Sequence, residues 1–210
     1  MRQKGKPRMG DRIIFRPFGA FEFFSRLQRP REMEQSIIYL VGFMGAGKTS
    51  VGRRVAEILG WSFVDLDQRI EETAGESIRE LFRREGEAHF RVLEGTELRR
   101  VSEQQRTVVA LGGGAFCSAE NQLVIQTTGA SVWLDAPIDL LSSRCSLDST
   151  RPLFTNRQEM EELLERRRPY YQKANLRVEV ASHSIEENAQ RVVAEINRGQ
   201  SLFKTRKSDH

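Results

Sequence analysis

Residues 42–50 read GFMGAGKTS and follow directly on the apolar run Ile37-Ile38-Tyr39-Leu40-Val41. The spacing fits G-x-x-x-x-G-K-[ST], with Gly42, Gly47, Lys48 and Thr49 at the fixed places. A loop that wraps a chain of phosphates must turn tightly and aim several backbone N–H groups inward. Gly42, Gly45 and Gly47 permit those torsions and the close approach. Val51, Val55, Ile58 and Leu59 then recur at helical spacing, so a helix N-terminus faces the same anion. In that geometry Lys48 reaches the β- and γ-phosphates and the Thr49 hydroxyl sits on Mg²⁺. A strand before and a helix after separate this pattern from a chance glycine turn. Between residues 34 and 197 there are 18 Arg but only two Lys, and one of those two is Lys48.

The 210-residue chain is 39% hydrophobic and 30% charged, enough for one globular domain with a sizeable core. No run approaches the length of a membrane span. The net charge of +4 is unevenly placed: residues 1–33 carry nine Lys/Arg against three Asp/Glu, and residues 198–210 four against one. Residues 34–197 carry 20 against 25, so the central segment is acidic and the basic character lies in the two terminal segments, which argues against a nucleic-acid partner. Cys117 and Cys145 lack metal or disulfide spacing, which suits a reducing cytoplasm. The three histidines, His89, His183 and His210, are scattered and read as surface residues.

Residues 1–33 mix Arg with five Phe, lack a signal-peptide apolar core and show no periodicity; they read as a flexible extension, or as a short amphipathic docking segment. From residue 36, strands alternate with helices. Strands are expected at 37–41, 62–65, 107–111, 130–134 and 177–181. Helices are expected at 48–59, 67–74, 77–84, 86–104, 118–126, 137–145, 156–173 and 185–197. That alternation predicts an α/β fold with a parallel sheet covered on both faces. The polar segment 199–210 is expected to be a disordered tail.

Four further segments carry candidate chemistry. The second strand ends in Phe63-Val64-Asp65-Leu66-Asp67, and two carboxylates at i, i+2 on a strand point the same way. One can hold a metal-bound water and the other can accept a hydroxyl proton, although Asp67 also reads as a helix cap. Within residues 75–94, helices break at Gly86, and Arg91 and Glu94 stand at pairing distance i, i+3. The third strand runs into Gly112-Gly113-Gly114, which points to something lying against the backbone at the ligand edge of the sheet. Asp148-Ser149-Thr150-Arg151-Pro152-Leu153 reads as a mobile lid whose Arg could close over phosphates. Arg166, Arg167 and Arg168 cluster near a helix end, with at least one available to an anionic substrate.

Taken in order, GFMGAGKT, the DLD at 65–67, SIRELFRREGEAHFR, LGGG at 111–114, TRPL at 150–153 and Arg167-x-Pro-x-Tyr171 resemble the shikimate kinase family over roughly residues 35–197. The resemblance implies a P-loop kinase of the nucleoside-monophosphate-kinase type: a three-layer αβα fold on a five-stranded parallel sheet. It implies a domain at 34–198, with a substrate-binding helical part near 67–94 and a lid near 146–156. ATP phosphates would lie on Gly45, Ala46, Gly47, Lys48, Thr49 and Ser50, with Arg144 against the adenine and Arg151 on the phosphates. Thr49 would ligate Mg²⁺ and Asp65 would hold it through water. Asp67 would engage the hydroxyl that is phosphorylated. Arg91 and Arg167 would grip the shikimate carboxylate, with the Gly113 and Gly114 backbone against the ring. The implied reaction takes ATP and shikimate to ADP and 3-phosphoshikimate, in the cytoplasm, by a monomer that needs neither membrane nor nucleic acid. The chain departs from the family in its extra terminal segments and near 182–187, where the family's adenine-loop residues have no clear counterpart.

The residues alone specify a small-molecule kinase with an anionic acceptor. They leave open a kinase for another small carboxylate or a nucleotide, and a nucleotide-binding switch without turnover. A nucleotide acceptor would need a base-recognition surface, and a switch would need no acceptor site.

Overall fold

The structure is a computed structural model that describes residues 37–146, 157–180 and 184–206. The described residues belong to a single unit, 32–210. The five expected strands form one sheet: β1 (Ile37–Val41), β2 (Ser62–Asp65), β3 (Thr107–Ala110), β4 (Gly129–Asp135) and β5 (Leu176–Glu179). Every pairing is parallel, in the order β2-β3-β1-β4-β5. Position in the sheet follows composition. All of IIYLV in β1 and all of TVVA in β3 are buried, as strands covered on both faces must be, whereas β2 and β5 at the edges are partly exposed.

Seven α-helices connect and flank the strands: α1 (Lys48–Leu59), α2 (Leu66–Ala74), α3 (Ile78–Val101), α4 (Ala119–Thr128), α5 (Ile138–Ser146), α6 (Arg157–Tyr171) and α7 (Ile185–Arg206), among the described residues. A short 3₁₀ turn, Ala115–Cys117, follows the triple glycine. α1 packs against α7 and across β1, β2 and β3, while α4 packs on β4 and against α3. Because the strands are parallel, the loops after β1, β2 and β3 emerge at one edge of the sheet. Ligands of open α/β sheets bind at this carboxyl edge. The phosphate loop, the DLD and the triple glycine therefore meet there.

Three sequence expectations change. β2 ends at Asp65, so Asp67 is not a strand residue and strand alternation does not aim it; the first turn of α2 does. The cap of α2 is Asp65 rather than Asp67, because Asp65 has the extended backbone of an N-cap and accepts from the Asp67 and Gln68 N–H groups. The expected break holds: α3 consists of two helical segments that meet at Gly86, whose φ of 79° and ψ of 174° leave the helical region. α7 runs to Arg206, through residues expected as tail from 199, since no proline interrupts NRGQSLFKTR. The expected extension 1–33 and nearly all of the expected lid 146–156 lie outside the described residues.

Candidate active site

The phosphate loop takes its shape from its glycines. Gly45 and Gly47 have φ of 74° and 91°, in the left-handed region, and Gly42 has φ of 143°. A Cβ on Gly42 would stand 2.7 Å from the Leu134 carbonyl oxygen, so the loop can lie on β4 only without one. Within the turn, the Ala46 N–H donates to the Phe43 carbonyl at 3.2 Å. The Lys48 ammonium donates to the carbonyl oxygens of Gly42 (2.9 Å) and Phe43 (2.8 Å), which holds its charge at the mouth of the loop. The Arg144 guanidinium, on α5, donates to the Gly45 carbonyl at 3.2 Å and so borders the same loop.

Across from Lys48, the Thr49 hydroxyl donates to Asp65 Oδ2 at 2.6 Å, while Asp65 Oδ1 takes the α2 N–H groups. Both Asp65 oxygens are thus fixed by the start of a helix. A hydroxyl and a carboxylate form a hard-oxygen donor pair that fits Mg²⁺, which characteristically takes one or two protein ligands and completes its shell with water and phosphate. No group of three or more His, Cys, Asp or Glu that could hold a metal occurs among the described residues, so the pair would depend on such outside ligands.

The loop opens into a cavity of about 440 Å³ that Gly45, Gly47, Lys48, Thr49, Ser50, Asp65, Asp67, Gly113 and Arg144 line, together with Met44, Leu111 and Cys145. One continuous space therefore joins the phosphate loop to Asp67 and to the glycine strip. The strip is tight. A Cβ on Gly112 would stand 2.6 Å from Asp67 Oδ1 and 3.1 Å from Glu94 Oε1, and one on Gly114 would stand 2.8 Å from the Arg91 guanidinium. Arg167 lies 3.3 Å from the corresponding position on Gly113 and its guanidinium sits over the Phe43 ring at 5.9 Å. Asp67, Glu94, Arg91 and Arg167 thus converge on three consecutive glycines, although they come from α2, α3 and α6.

Arg91 and Glu94 pair as their spacing predicts, at 2.8 Å, and Glu87 takes a second face of the same guanidinium at 2.9 Å. Glu94 is only 1% exposed, and its Oε1 has no hydrogen-bond partner. Burial pushes the Glu94 carboxyl above its ordinary range; the Asp67 charge adds to this, and Arg91 and Arg167 pull it back. The arginine cluster also sorts itself. Arg168 turns to Glu165 at 2.9 Å and Arg166 is exposed, which leaves Arg167 at the site. Arg151 falls outside the described residues.

The sequence reading missed Met44, Leu111 and Cys145 as cavity walls, Glu94 as a buried member of the acceptor side, and Phe43 beneath Arg167. Glu94 was legible as an arginine partner; no sequence signal marked its burial.

A family model described as shikimate kinase matches residues 44–197. A shikimate kinase of Persephonella marina is 43% identical over 148 residues, which covers 70% of this chain and 90% of that protein. Among solved structures, shikimate kinase from Acinetobacter baumannii in complex with shikimate superposes with a TM-score of 0.76 at 36% identity, covering 79% of this chain and 95% of that one. A gluconokinase from Sinorhizobium meliloti, at 19% identity and a TM-score of 0.53, covers 84% of this chain and 98% of its own length, and shares the fold alone.

Proposed function

The chain belongs to the shikimate kinase family, and we propose how its residues divide the labour of the family's reaction. The protein transfers the γ-phosphoryl group of ATP to the 3-hydroxyl of shikimate, giving 3-phosphoshikimate and ADP, a step toward chorismate and the aromatic amino acids. The single observation that carries the assignment of roles is the shared cavity. It joins the phosphate loop to Asp67 and the glycine strip, against which Arg91 and Arg167 stand.

Phosphoryl transfer asks a protein chiefly to align the reactants and neutralise charge. On the nucleotide side, backbone N–H groups of residues 45–50 receive the phosphates at the N-terminus of α1. Lys48 exchanges its loop carbonyls for β/γ-phosphate oxygens, and Arg144 borders the nucleoside end. Thr49 and Asp65 would hold Mg²⁺, which when bound screens the charge of the β- and γ-phosphates. On the acceptor side, the Arg91 and Arg167 forks take the shikimate carboxylate, since guanidinium binds carboxylate bidentately. Gly113 and Gly114 lie against the ring. Asp67 then faces the 3-hydroxyl: it accepts the hydroxyl proton as that oxygen bonds to the γ-phosphorus and the bond to the ADP oxygen breaks. Arg151 joins the phosphates from the lid.

Domain limits of 34–198, a monomeric state and a cytoplasmic location complete this reading. Every motif lies within those limits, both substrates are small molecules, and the spacing of Cys117 and Cys145 suits a reducing compartment. Protein lacking residues 1–32 is expected to keep nearly full activity.

The test is ADP formation followed by a coupled assay with Mg²⁺ and ATP. Turnover should require shikimate. ADP release that ignores shikimate, or that responds only to a different acceptor such as gluconate or a nucleotide, would overturn the reading.

A further inference from the structure

Tyr171 closes α6 one turn after Arg167, with no exposed surface and its ring 6.1 Å from that of Trp133. A buried aromatic at a helix end needs only packing to explain its ring. Its hydroxyl does more. It donates to the Gly113 carbonyl at 2.5 Å, across 58 residues of sequence, and an Arg167 guanidinium nitrogen stands 3.3 Å from where a Gly113 Cβ would lie.

The donor directions are forced. A carbonyl oxygen can only accept, a guanidinium can only donate, and a tyrosine hydroxyl has one proton to give and lone pairs to receive with. The bond therefore runs from the Tyr171 proton to the Gly113 oxygen. Two consequences follow. The Arg167 guanidinium stands against the Gly113 peptide, so holding that peptide limits where the fork can lie. The Gly113–Gly114 peptide plane is also tied. In a trans peptide the carbonyl and the following N–H point opposite ways, so fixing the Gly113 oxygen toward α6 turns the Gly114 N–H away from it. Burial holds the hydroxyl well above the ordinary tyrosine range, so it stays protonated and able to donate.

We propose that Tyr171 is a positioning residue for the acceptor: its hydroxyl latches the glycine strip that Arg167 stands against, so that carboxylate clamp and ring platform are set before the substrate arrives. The proposal rests on the shikimate reading above and adds a residue that touches no substrate. Pre-set donors avoid ordering costs on binding, so the latch should show in the acceptor term and not in ATP affinity.

The experiment compares Tyr171→Phe with the wild-type chain. The variant keeps the ring and its packing and removes only the hydroxyl. Shikimate KM should rise about ten-fold, equivalent to ~1.4 kcal/mol, while kcat and ATP affinity by titration stay near wild type. Combined with Arg167→Lys, the two KM effects should fall short of additive, because the hydroxyl fixes the peptide that this guanidinium stands against. A lowered melting temperature with unchanged shikimate KM would reduce Tyr171 to a packing residue and overturn the latch. So would a KM rise matched by an equal loss of ATP affinity. Wild-type turnover is measured first: if it ignores shikimate, the functional reading fails and takes the latch's role with it, whereas a shikimate-dependent wild type with an unaffected variant defeats the latch alone. A second measurement needs no variant and stands if Tyr171→Phe does not fold. Amide hydrogen exchange across residues 111–117 of the full chain should be slow without shikimate and change little on adding it. Fast exchange that slows only with shikimate would mean that the substrate builds the platform, and the proposal would be lost.

Discussion

The two sides of the cavity are built on different principles. Residues 42–50 shape theirs with peptide groups from nine consecutive positions: glycine torsions, turn hydrogen bonds and the start of α1. The facing side has no such contiguous motif. It assembles Asp67 from α2, Arg91 and Glu94 from α3, Gly112–Gly114 after β3, and Arg167 with Tyr171 from α6. The backbone side suits a ligand part common to many enzymes, a chain of phosphates. The side-chain side suits the part that differs, the acceptor. Damage should follow the same line: a change on one side should show in one substrate's constants and spare the other's.

Lys48→Ala should have the largest effect. The ammonium is the one side-chain charge that the loop itself supplies, and it is held at the mouth by two carbonyls. Losing a preorganised charge aimed at the transferring group should cost roughly 10²–10³-fold in kcat. Steady-state kinetics check this, and a near-normal kcat would remove the loop from the chemistry.

Asp67→Asn comes next and sits on the boundary, because Asp67 lines the cavity beside the loop yet crowds the glycine strip. Asparagine keeps the shape but cannot take the hydroxyl proton. We expect kcat to fall by at least ~10²-fold, with shikimate KM moving far less. A KM effect larger than the kcat effect would recast Asp67 as a binding group.

Arg91→Ala and Arg167→Ala test the acceptor side alone. Each removes a charged hydrogen-bond donor, worth ~1.5–3 kcal/mol, or roughly 10- to 150-fold in shikimate KM. ATP affinity, measured separately by titration, should hold. Loss of ATP binding instead would move these arginines to the nucleotide side and dissolve the division.

The same division explains what the sequence could reveal. The loop was legible to the residue because its conformation demands glycine at fixed places, and a local demand leaves a local pattern. Five strands and their helices were legible from periodicity, though the order β2-β3-β1-β4-β5 was not, since nothing local records which strand lies beside which. The acceptor residues could be named only through the ordered set of family motifs. From spacing alone, the Arg91–Glu94 pair was indistinguishable from a solvated helix face, and only the fold shows Glu94 buried beside Asp67 and Gly112. The two aspartates show the limit most clearly. Their proximity to the phosphate loop was read correctly, but through strand alternation. The actual cause is that Asp65 ends the strand and caps α2, which carries Asp67 on the helix's first turn. Helix caps and strand ends differ by one residue of register, and local sequence seldom decides that residue.

The smallest expected effect probes whether the acceptor side is itself divided. Ser77 caps α3: its side chain accepts the Glu80 N–H at 3.2 Å, and the Glu80 carboxylate returns to the Ser77 N–H at 3.1 Å. Ser77→Ala removes the cap from a helix that also carries Arg91 and Glu94. If α3 were one straight rod, fraying at its start would be felt along its length. Gly86 interrupts it, however, with a backbone outside the helical region. The segment from Ile78 to Glu85 can therefore loosen without turning the segment that bears Arg91, which Glu94 and Glu87 hold independently. We expect the melting temperature to fall by about 2–4 °C and shikimate KM to stay at the wild-type value, with ATP affinity unchanged. A shikimate KM that rises as it does in Arg91→Ala would show that the kink transmits disorder. The clamp would then depend on the whole of α3, and the acceptor side would be as continuous a structure as the phosphate loop it faces.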